Sequence, residues 1–289
     1  METEQIQALF REKMQGMPKK ARRVVEYLLM NMREAAFRSI GDVADGLGVS
    51  KAQMVRVSRL LGFEGYSDLK ETLQDAVLGQ VNPAAMLARV MDNRQELPVT
   101  IHRLEHANLD DTWSQLRSEK VSAFCSKLRD ADAVYCAGWG ISTLVAQSLF
   151  MRLRIMGMKA FLMTRSAMTL QEQARSVGPG DVVVVCELPS FVIEVTQAVE
   201  RAKTKGAEII TITDNPAAPI CRYSYLSFFV SAASPMFGSS VIGPLFLVHI
   251  LTSVLAVNMG DSARKALEEQ SEFLHDERIF HPVFGLKYS

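Results

Sequence analysis

The sequence predicts a chain in two parts: an all-α N-terminal domain built on a helix-turn-helix, followed by an α/β three-layer domain with a mostly parallel sheet. Three observations carry this. Residues 39–62 hold two short amphipathic helices joined at a glycine. From Asp132 onward, apolar strand-like runs alternate with helical stretches. At 289 residues, 48% hydrophobic and 22% charged, the chain exceeds one ordinary domain and can bury large cores.

Residues 4–15 read as a short helix, and Pro18 opens the next at a position where its missing N–H leaves no bond unmade. Ala21, Val24, Val25, Leu28 and Met32 keep helical spacing through it. Ser39 with Asp42, and Ser50 with Gln53, each set a capping hydroxyl three residues ahead of a polar side chain that can reach back. Gly48 gives the turn between the two helices its backbone freedom. At about 100° per residue, Met54, Val57 and Leu61 form one stripe of the second helix. Ala52, Arg56 and Arg59 lie opposite, with Lys51 and Gln53 at the flanks. An apolar inner stripe under a short basic face is the layout of a helix that enters the major groove. A solvated basic face would explain the two arginines alone; the caps and the glycine turn arriving with them favour DNA. Ser50, Lys51, Ala52, Gln53, Arg56 and Arg59 are therefore the expected contacts with a double-stranded DNA operator.

Charge placement agrees. The whole chain is formally neutral, yet residues 11–60 contain eleven Lys/Arg against five Asp/Glu. Such a local surplus confines attraction for a polyanion to one end of the protein.

A helix that Ser67 can cap runs to Leu78 and completes the domain at 1–78. Residues 79–109, with Pro83 and Pro98 as breakers, read as a connector with helical content. A helical pattern over 101–130 leads into the second domain, 110–278. Its strands are expected at Ala133–Ala137, Lys159–Met163, Asp181–Cys186, Glu208–Thr213 and Tyr225–Val230. Helices are expected at 141–157, 168–177, 190–205 and 239–258, with a proline-bearing loop at 214–224. A charged helix at 261–278 and a loosely ordered tail at 279–289 close the chain.

The stretch Val241 to Val257 approaches the length of a membrane span. Pro244, His249, Thr252, Ser253 and the lack of basic flanks favour a helix buried against the sheet, so no membrane partner is expected. The first residues, with Glu2 and Glu4, lack the apolar stretch of a signal peptide. Cys125, Cys136, Cys186 and Cys221 form no Cys-x-x-Cys pair, which suits buried thiols in a reducing cytoplasm better than zinc. His102 and His106 have i, i+4 spacing without a third ligand and read as a solvated helix face. No metal, cofactor or catalytic constellation is expected.

Gly138-Trp139-Gly140-Ile141-Ser142 follows a strand and opens a helix. Glycines there let a ligand approach the backbone, the helix start offers N–H groups, and Ser142 adds a hydroxyl. The third glycine and the acidic residue of a dinucleotide fingerprint are missing, and a tight strand-to-helix turn explains the same residues.

The run Val49-Ser50-Lys51-Ala52-Gln53-Met54-Val55-Arg56-Val57-Ser58-Arg59-Leu60-Leu61-Gly62-Phe63-Glu64-Gly65-Tyr66 is similar to the N-terminal domain of RpiR-type bacterial transcriptional regulators. Gly138 to Ser142, Pro179-Gly180-Asp181-Val182-Val183, Lys203 to Ala207 and Ile209 to Thr213 resemble the sugar-isomerase (SIS) domain that completes those regulators. The resemblance spans roughly residues 5–275, with both domains in the expected order. It implies a cytoplasmic, oligomeric repressor or activator whose SIS domain senses a sugar phosphate. The helical connector and large apolar second domain favour a homodimer or homotetramer. Gly138, Gly140, Ser142, Glu187 and Ser190 are the expected contacts with a small-molecule effector, a sugar phosphate or another metabolite.

One departure stands out. After the third strand, members of that family carry a Ser-x-Ser-Gly-x-Thr type loop that holds phosphate; this chain has Cys186-Glu187-Leu188-Pro189-Ser190-Phe191-Val192. Glu187 replaces a serine, Ser190 the glycine and Val192 a hydroxyl residue. A carboxylate facing a phosphate is repelled by about 4 kcal/mol per unit charge pair at 4 Å and effective dielectric 20. Pro189 also removes a donor. The expectation is a different effector, non-phosphorylated or bearing an amine for Glu187, or a pocket filled by Leu188 and Phe191 in a domain kept for assembly. A sugar-phosphate isomerase using Glu187 or His249 as its base, and a DNA-binding scaffold without an effector, are the rival functions.

Overall fold

A computed structural model of the chain describes residues 3–80, 83–91, 95–236, 238–279 and 281. The chain divides into two compact units, the first built mainly on residues 1–100 and the second mainly on 101–289. Parts of the expected connector (81–82 and 92–94) and most of the expected tail (280 and 282–289) lie outside the described residues.

The first unit is helical: α1 (Thr3–Met14), α2 (Lys19–Met30), α3 (Met32–Phe37), α4 (Ile40–Leu47), α5 (Lys51–Leu60), α6 (Tyr66–Gln80) and α7 (Pro83–Met91). The inward stripes of α1 to α6 meet in one core that includes Ile6, Phe10, Leu28, Met54, Leu69 and Leu73. Helical spacing carried α2 through Met32, but the helix stops at Met30. Asn31 leaves helical conformation (φ −127°, ψ 36°), its side-chain amide donates to the Tyr27 carbonyl at 3.1 Å, and Met32 opens α3. An Asn side chain that bonds nearby backbone competes with helix continuation in this way. Nor does Ser67 cap α6: it lies inside the first turn, and Asp68 accepts the Glu64 N–H at 2.9 Å instead.

The pattern over 101–130 is two helices, α8 (Leu97–Gln115) and α9 (Ser118–Arg129). Arg117 is extended between them (φ −116°, ψ 131°), and its guanidinium donates to the Ser114 carbonyl at 2.8 Å. That bond satisfies a carbonyl the end of α8 leaves open. Asn108 of α8 is fully buried in the second unit. Its Oδ1 accepts from the Ser231 hydroxyl and the Ala233 N–H, and its Nδ2 donates to the Ala233 carbonyl, each at 2.9 Å.

There follow β1 (Val134–Gly138), α10 (Ser142–Ile155), β2 (Ala160–Thr164), α11 (Leu170–Gln173), β3 (Val182–Glu187), α12 (Ile193–Thr204), β4 (Glu208–Thr213), β5 (Leu226–Phe229), α13 (Ile242–Met259) and α14 (Asp261–Asp276). The five strands form one sheet in the order β2-β1-β3-β4-β5, and every neighbouring pair is parallel. A sheet of this kind is stable only with both faces covered. Cys136, Val184 and Ile210 face a core shared with Phe124 of α9, Leu149 of α10 and Leu251 of α13. The alternate residues, Val183, Val185 and Ile209, are equally buried, and α12 packs on β3 and β4 through Val195, Ala198, Val199 and Ala202. Among the described residues α13 is long and apolar enough to cross a membrane. It packs Leu247, Val248, Leu251 and Leu255 into this core.

The strand order fixes where a ligand would sit. From β1 the chain crosses to β2 on one side of the sheet, whereas from β3 it crosses to β4 on the other. Loops that leave neighbouring strands in opposite directions open a crevice at the carboxyl ends, here between β1 and β3.

Candidate functional site

In the first unit, Ser39 and Asp42 make the full reciprocal cap of α4. Ser39 Oγ accepts the Asp42 N–H at 3.1 Å, and Asp42 Oδ2 accepts the Ser39 hydroxyl at 2.7 Å and its N–H at 3.3 Å. These bonds hold the Asp42 carboxyl below the usual carboxylate range. Gly48 ends α4 in the left-handed region (φ 64°), a conformation with a steric penalty for side chains that glycine avoids. Ser50 then accepts the Gln53 N–H at 3.2 Å; the reciprocal bond from Gln53 is not made, so α5 has half of the expected box.

Met54, Val57 and Leu61 are buried as their spacing requires. Ser58 is buried with them, its hydroxyl donating to the Met54 carbonyl at 2.9 Å. That local bond removes the penalty of burying a hydroxyl. Ser50, Lys51, Ala52, Arg56 and Arg59 are exposed and Gln53 is half-buried. Arg59 also serves the fold, since its Nε donates to the Glu64 carbonyl at 3.1 Å and ties the α5–α6 turn to the end of α5. Lys51 lies across the first turn of α4, where a methyl on Gly41 would come within 3.3 Å of its Cε.

In the second unit, the β1–α10 and β3–α12 loops enclose a cavity of about 30 Å³ lined by Trp139, Ser142, Glu187, Leu188, Phe191 and Val195, among others. That volume admits a water or two, not a hexose. Gly138 is required there, because a Cβ would stand 2.6 Å from the Ser142 carbonyl oxygen. Gly140 takes a positive φ of 55° at the turn. Ser142 is buried, and its Oγ accepts the Leu188 N–H at 3.1 Å, so the hydroxyl expected to meet a ligand joins the two loops instead.

The helix start differs from expectation as well. The N–H groups of Ser142, Thr143 and Leu144 bond the carbonyls of Trp139, Gly140 and Ile141 at 3.1–3.2 Å. Three donors expected for an anion are thus taken up in tight turns. Ser190 is exposed and Leu188 is buried. Phe191 lines the cavity with φ 40°, a costly conformation for an aromatic residue.

Glu187 ends β3 opposite Thr213 of β4 and is only 4% exposed. Neither carboxylate oxygen has a hydrogen-bond partner. Burial, reinforced by the like charge of Asp214, pushes its carboxyl up to about 8. Sequence reasoning singled out Glu187 as a misfit; its burial became visible only once β3 was set between β1 and β4. His249 is not among the residues lining this cavity. It lies on α13 with its Nδ1 3.4 Å from the Arg152 guanidinium. The His102 and His106 ring centroids lie 4.5 Å apart with the rings tilted by 56°, and no cluster of three or more His, Cys, Asp or Glu side chains that could hold a metal occurs among the described residues.

Comparison with known proteins bears on both units. A family model described as a helix-turn-helix domain of the rpiR family matches residues 4–78, and one described as a SIS domain matches residues 127–254. The HTH-type transcriptional regulator RpiR of Escherichia coli K12 is 28% identical over 250 residues, covering 83% of this chain and 81% of its own. The solved structure of the Vibrio vulnificus NanR protein complexed with ManNAc-6P aligns at a TM-score of 0.62 and 22% identity, over 94% of this chain and 98% of that one. The sugar isomerase domain of an RpiR transcription factor from Sphaerobacter thermophilus aligns at 0.58 and 23% identity, over 61% of this chain and 99% of its own. At these identities the two structures establish the fold.

Proposed function

The chain belongs to the RpiR-type helix-turn-helix transcriptional regulators that carry a SIS domain, and on that premise we propose a cytoplasmic, operator-binding repressor whose second unit assembles copies of the chain and responds to a small metabolite. The observation that carries this reading is α5, capped by Ser50, with Lys51, Arg56 and Arg59 exposed opposite a buried apolar stripe. Arg56 and Arg59 are the groove contacts in this reading. Lys51, Gln53 and the Ser50–Ala52 backbone set the register on phosphate.

Assembly is supported by apolar side chains left in solvent on two helices that pack on each other: Leu144, Met151 and Ile155 of α10, and Ile242 and Val257 of α13. Large apolar side chains in solvent mark candidate contact sites, and a second copy would bring two recognition helices to paired half-sites. The crevice between β1 and β3, with Gly138, Gly140, Ser142, Glu187 and Ser190, is the effector site of this reading. NanR, solved with ManNAc-6P, supports looking among sugar-derived metabolites first. An isomerase is less well supported, since His249 is outside the cavity and Glu187 would have to act alone.

The comparison of residues 1–80 with the full chain tests this reading. The helical fragment is expected to bind operator DNA weakly and with steep salt dependence. The full chain gains a second half-site and is expected to bind about 10²–10⁴-fold tighter. Equal affinities on one operator, measured by fluorescence anisotropy, would contradict assembly through the second unit.

A further inference from the structure

We propose that the effector cavity at the carboxyl ends of β1 and β3 takes a protonated amine, with Glu187 as its anchor and Trp139 and Phe191 against the cationic group. The inference rests on the effector-site reading above and names the chemical class that site selects. Glu187 lines the cavity, is 4% exposed, and leaves both carboxylate oxygens without a hydrogen-bond partner. A buried acceptor in that state is unstable until a donor reaches it. No Lys, Arg or His is among the residues lining the cavity, so no cationic side chain there competes for Glu187. Asp214, at the end of the neighbouring strand β4, adds negative potential at the same carboxyl.

Those features oppose a phosphate and favour an ammonium. The groups that would otherwise receive a phosphate are engaged within the protein: Ser142 Oγ by the Leu188 N–H, and the first amides of α10 by the turn carbonyls. Trp139 and Phe191 line the same cavity as the carboxylate, and aromatic faces attract a desolvated cation. Size agrees too, because about 30 Å³ suits a group no larger than a water or two. An ammonium would enter that space while the rest of the ligand lies outside, beside exposed Ser190. Phe191 lines the same cavity in a left-handed backbone conformation, with φ 40°.

The proposal is tested by a thermal-shift and calorimetric screen of the full chain against matched sets: amino sugars, diamines, their hydroxyl counterparts, and hexose and pentose phosphates. Amines are expected to stabilise the protein where their hydroxyl counterparts and the phosphates do not. Glu187→Gln should weaken those amines by about tenfold or more, since a bond to a charged acceptor is replaced by one to a neutral amide. Trp139→Leu should weaken them independently of the carboxylate. Stabilisation by phosphates or neutral sugars that persists in Glu187→Gln would overturn the amine assignment and leave the effector site standing. Amine binding unchanged in Glu187→Gln would also overturn it. Stabilisation by none of these compounds would overturn the effector site itself, and the ligand class with it.

Discussion

Replacing Arg56 and Arg59 together by alanine is expected to reduce operator affinity by a factor of about 100 or more and to erase the preference for operator over random duplex. Each arginine that pairs with a base edge supplies about 1–3 kcal/mol of discrimination, and both lie on the exposed face of α5. The fold should survive, because the inner stripe of Met54, Val57 and Leu61 is untouched. The two arginines are not equivalent, however. Arg56 is expected to be neutral for stability, whereas Arg59→Ala removes the bond to the Glu64 carbonyl. An exposed bond of that kind contributes about 0.5–1.5 kcal/mol, so the double variant should melt slightly earlier than Arg56→Ala alone. Anisotropy titrations with unchanged circular dichroism check the expectation; affinity within twofold of wild type would remove α5 from the interface.

Glu187 should make stability depend on pH in a direction opposite to that of an ordinary carboxylate. Its carboxyl sits at about 8 in the folded protein, against an ordinary value of 4.5, chiefly because burial disfavours the charged form and secondarily because Asp214 repels it. Between those two values the native state holds a proton that the unfolded chain has lost. Stability therefore falls as pH rises through that window and levels off above the folded pKa. Glu187→Gln removes this dependence. The variant should match wild type near pH 5 and exceed it at pH 9 by on the order of 3 kcal/mol, after allowance for local relaxation around the ionised group. Urea unfolding of both proteins across this range isolates the contribution, because other titrating groups cancel in the difference. A constant difference between the two curves would mean that Glu187 is solvated or paired in solution.

Both examples show what the sequence could and could not convey. The α4–α5 pair was legible because its determinants are local: two serine caps, Gly48 and a 3.6-residue stripe all act within one turn of the residues they organise. The α/β alternation was legible for the same reason. The break at Asn31 and the one at Leu116–Arg117 were not, because the apolar spacing continues across each while a single side chain bonds the backbone locally. The proposed effector site was legible only in outline. Gly138 and Gly140 announce a tight turn, but the bond between Ser142 and Leu188 joins residues 46 apart in sequence, and only the fold brings them together. Glu187 was visible as an unusual residue; that both its oxygens are buried without a donor follows from β3 being flanked by β1 and β4.

The most direct measurement is selection of duplexes from a random DNA library by the full-length chain, with the Arg56→Ala, Arg59→Ala variant carried in parallel. DNA reading by α5 in an assembled protein predicts one enriched sequence with two-fold related half-sites, spaced about one helical turn or a multiple of it, from wild type alone. Enrichment of an unpaired motif would contradict assembly on the operator, and the same motif recovered by both proteins would contradict recognition by α5.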